Sequence, residues 1–342
     1  MPSARNRFLP FDNWPPSDQA RWRELFEAPQ DLLDESGACR FALPTKRDLW
    51  SRYACFLNFA LAQGQLRQDQ GPAACLTEEL AKDYIAWLSE RVSSVSLAGT
   101  ARKLHRCATL LDQQRNWTWL SKIAGRLERA AKPTKQTVKI VDPRKIVRAG
   151  IDLMRRAEGD PHPSVSTADV FQDGLILTLL AVTALRRTVF SELEIDENLR
   201  LVGTVWHISL PAKANSKIRA PVDIPLDPSL NRYIELWLNK YRPMFPGASM
   251  YRRLWLSRMG PLDSGQIYYV VTSRTEYAFG FPMNPHSIRH SAASMIAADF
   301  DQDPEMARAV LGHANLRTTT MHYTHGTMRP AITAYQRLVG MK

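Results

Sequence analysis

The stretch VWHISLPAKANSKIRAPVDIPL, Val205 to Leu226, is where the hydrophobic rhythm of the chain changes. Trp206, Ile208 and Leu210 alternate with other residues, and after a polar interval Val222, Ile224 and Leu226 do so again. A period of two is that of a half-buried strand, so the stretch predicts a β-hairpin with PAKANSKIRA at its tip. On both sides the period returns to that of a helix. The expected fold class is therefore mainly α with a small antiparallel β-sheet.

In the first third, Leu49, Tyr53, Phe56, Leu57 and Ala60 recur at steps of three and four, with Gly64 as a stop. LTEELAKDYIAWLSER follows, with Thr77 placed to cap the helix and Glu78 and Glu79 in its first turn. A third helical stretch, Leu97 to Leu111, carries Arg102, Lys103 and Arg106 between its apolar positions. That basic stripe either tracks a phosphate backbone or is a solvated helix face. AAKPTKQTVKIV then combines proline and lysines with no helical period, which predicts an extended linker over residues 133–142 between a domain at 1–132 and another at 143–342. Beyond it, DPRKIVRAGIDLMRRA and TADVFQDGLILTLLAVTALRR read as two helices, the second apolar all round, and helical pattern resumes from Pro228.

With 342 residues and 44% hydrophobic content the chain is long enough for two cores. Forty-five Lys and Arg against 34 Asp and Glu leave a formal charge of +11, which favours a polyanionic partner, nucleic acid before a membrane surface. Cys39, Cys55, Cys75 and Cys107 share no metal-ligand spacing and read as core thiols of a reducing cytoplasm. The N-terminus lacks a signal-peptide core, and the run Gly174 to Leu185 falls short of the ~18 apolar residues of a membrane span. A cytoplasmic, nucleoid-associated protein is expected.

No phosphate-binding glycine loop, zinc-binding HExxH pair or nucleophile-elbow serine is present. What remains is Arg186 in TALR (Thr183 to Arg186), Lys213 on the hairpin, His286 and Arg289 in HSIRH, His313 in LGH, and Tyr323 in YTH. Each alone has a structural reading: a helix-end arginine meets solvent, a hairpin lysine aids solubility, a late tyrosine fills a core. In this order they resemble the pattern of the tyrosine recombinases, the phage-integrase type of site-specific DNA recombinase, across the second domain. The helical first third is similar to that family's SAM-like core-binding domain in character only.

The resemblance implies a mixed α/β catalytic domain and a cofactor-independent, metal-free DNA transesterification. Tyr323 would be the nucleophile and form a 3′-phosphotyrosyl bond; a phenol with a pKa near ~10 needs neighbouring positive charge for this. Arg186 and Arg289 would hold the scissile phosphate by guanidinium forks, with His286 and His313 bonding to it. Lys213 would protonate the leaving 5′ oxygen, with Lys217 as the alternative. The implied partners are double-stranded DNA, three further protomers on two DNA sites, and accessory DNA-bending proteins; the setting would be integration, excision or resolution, as for a mobile element. Lys132, with Lys135 and Lys139 of the linker, joins the helical stripe of Arg102, Lys103 and Arg106 as expected DNA contacts.

Two departures stand out. Val189 occupies the place where the family usually has an acidic residue, with Glu192 a turn further on, and Tyr323 follows His313 by one residue more than is usual. They leave open a DNA-binding protein on a recombinase scaffold that does not cleave; a type IB topoisomerase is the rival that shares the chemistry. Tyr335, Tyr268 and Tyr269 are the fallback nucleophiles. The tail around Ile332, Tyr335, Leu338 and Val339 has helical spacing and is expected to pack either on a neighbouring protomer or on its own domain.

Overall fold

The computed structural model describes residues 8–27, 38–39, 41–68, 70–132, 140–211, 221–299 and 328–340, without the side chains of 296–299 and 328–332. The chain divides into two compact units, Met1–Gln136 and Thr137–Lys342. Most of the expected linker, 133–139 with Lys135 and Lys139, lies outside the described residues, as do Lys213, Lys217, His313 and Tyr323.

The first unit is built of α1 (Pro16–Phe26), α2 (Leu43–Ala62), α3 (Glu78–Ser89), α4 (Ser94–Leu111) and α5 (Thr118–Ala130). Their ends follow from local chemistry. Thr77 accepts from the Leu80 amide at 3.2 Å, and Ser93 from that of Ser96 at 3.3 Å, each satisfying one of the orphan donors of a helix start. The chain leaves α2 through Gly64 at φ +67, a conformation that carries little penalty without a Cβ. Trp14, Tyr53, Phe56 and Tyr84 fill the core. Asp18 is buried among them, accepting from the Tyr53 hydroxyl at 2.8 Å and the Ala73 amide at 2.6 Å; burial outweighs both bonds and holds its carboxyl above the usual range.

The second unit comprises α6 (Pro143–Glu158), α7 (Val165–Thr183), α8 (Arg187–Ser191), the strands β1 (Leu199–Val202), β2 (Val205–Leu210) and β3 (Val222–Pro225), α9 (Asn231–Leu236), β4 (Leu256–Ser257), β5 (Gly260–Pro261), α10 (Ser264–Phe279), α11 (Pro285–Asp299) and α12 (Met328–Leu338). The expected hairpin is the β2–β3 half of an antiparallel sheet in the order β1-β2-β3. Leu199, Ile208 and Ile224 sit opposite one another across it and form its buried row.

α7 is the core helix around which this unit is arranged. It is long and apolar enough to cross a bilayer by length and composition, but 78% of that window is buried within the protein. α6 lies against it so closely that neither Gly150 nor Gly174 leaves room for a Cβ. A Cβ at Gly150 would stand 2.3 Å from Thr178 Oγ1 and 2.5 Å from the Gly174 carbonyl, and one at Gly174 would stand 2.4 Å from the Gly150 carbonyl. Gln172 of α7 bonds both ways to the Leu256 backbone, at 2.9 and 2.8 Å, and Asp173 takes the Arg274 guanidinium of α10 at 2.7 Å.

Three expectations are corrected. The pattern after Pro228 is not helical throughout, because β4 and β5, two residues each, interrupt it with too few residues to show any period. β1 shows no alternation either, because of its four residues only Leu199 is buried. The helix expected to run through TALRR stops at Thr183: Ala184 turns left-handed at φ +48, and α8 starts anew after Arg186.

Gly150→Ala is expected to destabilise the second unit by about 1–3 kcal/mol through overpacking. Gly99→Ala, on α4 with nothing within 4 Å of the added methyl, is expected to stabilise the first unit by roughly 0.5–1 kcal/mol. Urea melts of the two variants check both.

Candidate active site

The site is assembled at the C-terminal end of α7. The last carbonyls of a helix have no partner within it, and here that end is buried, so the partners must come from elsewhere. Ala184 reverses the chain and its amide donates to the Leu180 carbonyl at 3.0 Å. The Thr183 hydroxyl donates to Leu179 O at 2.6 Å. The Tyr335 hydroxyl, from α12, donates to Ala181 O at 2.7 Å, and Arg289 Nη1, from α11, donates to Ala184 O. One helix end thus gathers side chains from two distant helices.

Arg186, half-buried, follows this break as the residue that caps α8, its carbonyl accepting from the Phe190 amide at 2.9 Å. α8 is held in turn by Trp255, whose indole donates to Phe190 O at 2.9 Å while the two rings stack at 5.0 Å. The backbone of Arg186 is therefore fixed on both sides. Arg289 is 7% exposed; burial first, and the neighbouring Arg186 charge second, push its guanidinium down to about 10. It stays charged at neutral pH. Two guanidinium groups whose charges repel, one of them largely removed from water, can receive an anion, since a phosphate would relieve the repulsion and replace the lost hydration.

His286, one turn before Arg289 on α11, is exposed, and its ring meets that of His290 edge-on at 4.4 Å. Arg187 stacks over Tyr268 of α10 at 5.4 Å, flanking Arg186 with a third guanidinium that the sequence reading passed over. The described structure thus brings Arg186 and Arg289 together. It does not extend to Lys213, His313 or Tyr323. The base of the Lys213 hairpin is described, and it is braced: His207 Nδ1 lies 3.1 and 3.2 Å from the Asp223 carboxylate oxygens, and Ser209 donates to Asp223 at 2.9 Å. These three polar residues on facing strands went unnoticed in the sequence; their signal is a His and a Ser two apart in β2 and an Asp in β3, interleaved with the apolar row.

Val189 is half-buried and packs against the apolar core, while Glu192 is exposed. Tyr335 is fully buried, and burial together with the nearby Asp142 charge raises its phenol far above the usual range, which makes it a helix cap and a poor nucleophile. The tail packs on its own unit, with Gln336 Nε2 donating to Pro225 O at 2.9 Å.

Of the DNA-contact candidates in the first unit, Arg102 Nε donates to Glu128 at 2.8 Å, Lys103 lies 2.5 Å from Asp48, and Arg106 stacks on Phe41 at 4.3 Å. Lys132 is exposed, its backbone tied to the Ser94 hydroxyl at 3.1 Å. No group of three metal-ligating side chains is found among the described residues.

Residues 161–329, which include every one of the six motif residues of the second unit, match the model of the phage integrase family. This segment belongs to the phage integrase family. Integrases and recombinases of this kind bind DNA and recombine it site-specifically, and that is the general function of the segment. No curated protein matches the chain in sequence. Among solved structures it is similar to that of XerA recombinase, at 16% identity and a TM-score of 0.38 over 93% of this chain and 97% of that one. It is also similar to the integrase from mycobacterium phage Brujita, at 15% identity and a TM-score of 0.39 over 89% and 93%.

Within the integrase segment, Arg289→Lys is expected to lower the rate of DNA cleavage by about 100-fold or more, because an ammonium offers no fork to a phosphate. Tyr335→Phe is expected to cost about 1–3 kcal/mol of stability by orphaning the Ala181 carbonyl, and to leave covalent attachment to DNA intact. Gel assays of adduct formation beside thermal melts separate the two effects.

Proposed function

We propose that the protein is a site-specific DNA recombinase that cleaves and rejoins strands through a 3′-phosphotyrosyl intermediate at Tyr323. The observation that carries the reading is the convergence of Arg186 with the buried, still-charged Arg289 at the end of α7, inside a segment of the integrase family.

In this reading the two arginines bind the non-bridging oxygens of the scissile phosphate and neutralise the charge that builds on them in the pentacoordinate transition state. The Tyr323 oxygen attacks phosphorus in line as its proton passes to His286, the bond to the 5′ oxygen breaks, and Lys213 gives that oxygen its proton, with Lys217 as the alternative donor. His286, exposed beside Arg289, and His313 hydrogen-bond the phosphate. Attack by the 5′ hydroxyl of another strand reverses each step and returns the tyrosine. The new phosphodiester replaces the old one, so no ATP is consumed. Strand exchange joins two duplexes and calls for four protomers.

A second reading has one observation in its favour: Val189 gives its position to the apolar core, so no carboxylate stands there to support Arg186. On this reading the protein binds recombination sites without cutting them.

The test is a nicked suicide duplex, drawn from DNA flanking the gene, incubated with wild type and with Tyr323→Phe in EDTA. The expected result is a denaturation-resistant protein–DNA adduct with wild type alone. Retention of the duplex without any adduct favours the non-cleaving reading, and an adduct that persists in Tyr323→Phe moves the nucleophile to another tyrosine, with Tyr268 and Tyr269 the exposed candidates.

A further inference from the structure

We infer that the first unit grips the phosphate backbone of duplex DNA with Lys122, Arg126 and Arg129 of α5, and not with the basic stripe of α4. The inference rests on the recombinase reading and names the surface that would carry its DNA. All three side chains are exposed and follow one another at steps of four and three, so they share a face within an arc of about 60°. Leu120 and Ala124 are buried on the opposite side and seat the helix. Along the axis the three span about 10 Å, over which one DNA strand presents about three phosphates.

What distinguishes α5 is the accounting of acids. Glu128, the only carboxylate on this helix, lies off that face and receives Arg102 of α4 through both Nε and Nη2. Asp48 of α2 takes Lys103. Two of the three cations of the α4 stripe are thereby matched within the protein, and the third, Arg106, lies over the Phe41 ring. Among the described residues, none of Lys122, Arg126 and Arg129 has a carboxylate within ion-pair distance; Glu128 feels Arg129 only as its weakest influence. α6 offers the nearest rival, with Arg148, Arg155 and Arg156 exposed, but Asp152 stands three or four residues from each of them and divides that face. An exposed cation already paired to a carboxylate releases few counterions when DNA arrives, whereas an unpaired one releases its full share.

Arg129 also lies in the last turn of α5, where positive charge suits the helix dipole. That role would appear in thermal stability, and not in the salt dependence of DNA binding.

The experiment measures binding of the full chain to a random-sequence duplex by fluorescence anisotropy as salt is raised. Wild type is compared with Lys122→Gln/Arg126→Gln/Arg129→Gln, with Arg102→Gln/Lys103→Gln, and with the charge-keeping Lys122→Arg/Arg126→Lys/Arg129→Lys. Between about 50 and 200 mM salt, wild type is expected to lose roughly 40-fold more affinity than the α5 glutamine variant, which corresponds to about three released counterions. The other two variants are expected to follow wild type. An α5 glutamine variant with the wild-type salt slope, or an α4 variant that loses it, overturns the inference while leaving the recombinase reading in place. A wild-type chain that no duplex retains at any salt concentration overturns that reading, and the inference with it.

Discussion

The second unit depends on how a buried helix end is satisfied. α7 terminates inside the protein, where each unpaired carbonyl would carry a desolvation cost of about 1–3 kcal/mol. The chain has no glycine or proline there, and it uses a left-handed Ala184 to turn away. The carbonyls left behind are met by Tyr335 and Arg289, brought from helices more than a hundred residues downstream. Stability and site geometry are therefore one arrangement: the bond that caps α7 also aims a guanidinium at the entrance of α8.

That arrangement leaves charge in a costly state. Arg289 is largely removed from water and stands near Arg186, so both burial and repulsion disfavour its charge. A phosphate between the two groups would offset both costs, and a transition state with more charge on its oxygens would offset them further. The first unit handles its cations in the opposite way. There, Arg102 and Lys103 are spent on Glu128 and Asp48, which fasten α4 to α5 and α2, and the α5 face has no carboxylate within ion-pair distance among the described residues.

Much of this was legible in the sequence wherever a feature repeats or has its own local chemistry. The alternation around Ile208 and Ile224 gave the hairpin, Thr77 gave a helix start, and the order of Arg186, Lys213, His286, Arg289, His313 and Tyr323 pointed to the integrase family. The break at Ala184 was illegible because TLLAVTALRR carries no breaker; tertiary hydrogen bonds impose the turn against local propensity. Likewise, which basic stripe is neutralised depends on a glutamate 26 residues from Arg102, a pairing that no period encodes. Tyr335 stands in the sequence as a fallback nucleophile, and only its burial marks it as a cap.

The central claim is that Arg289 and Arg186 exist to balance the charge of one phosphate. It is tested most directly by measuring adduct formation for wild type and Arg289→Ala on matched suicide duplexes whose cleaved linkage is either an ordinary phosphodiester or a neutral methylphosphonate. If the claim holds, the substitution costs far less on the neutral linkage than on the charged one, because removing the negative oxygen removes the need for the guanidinium. An equal loss on both linkages would contradict it and leave Arg289 as a structural cap of α7.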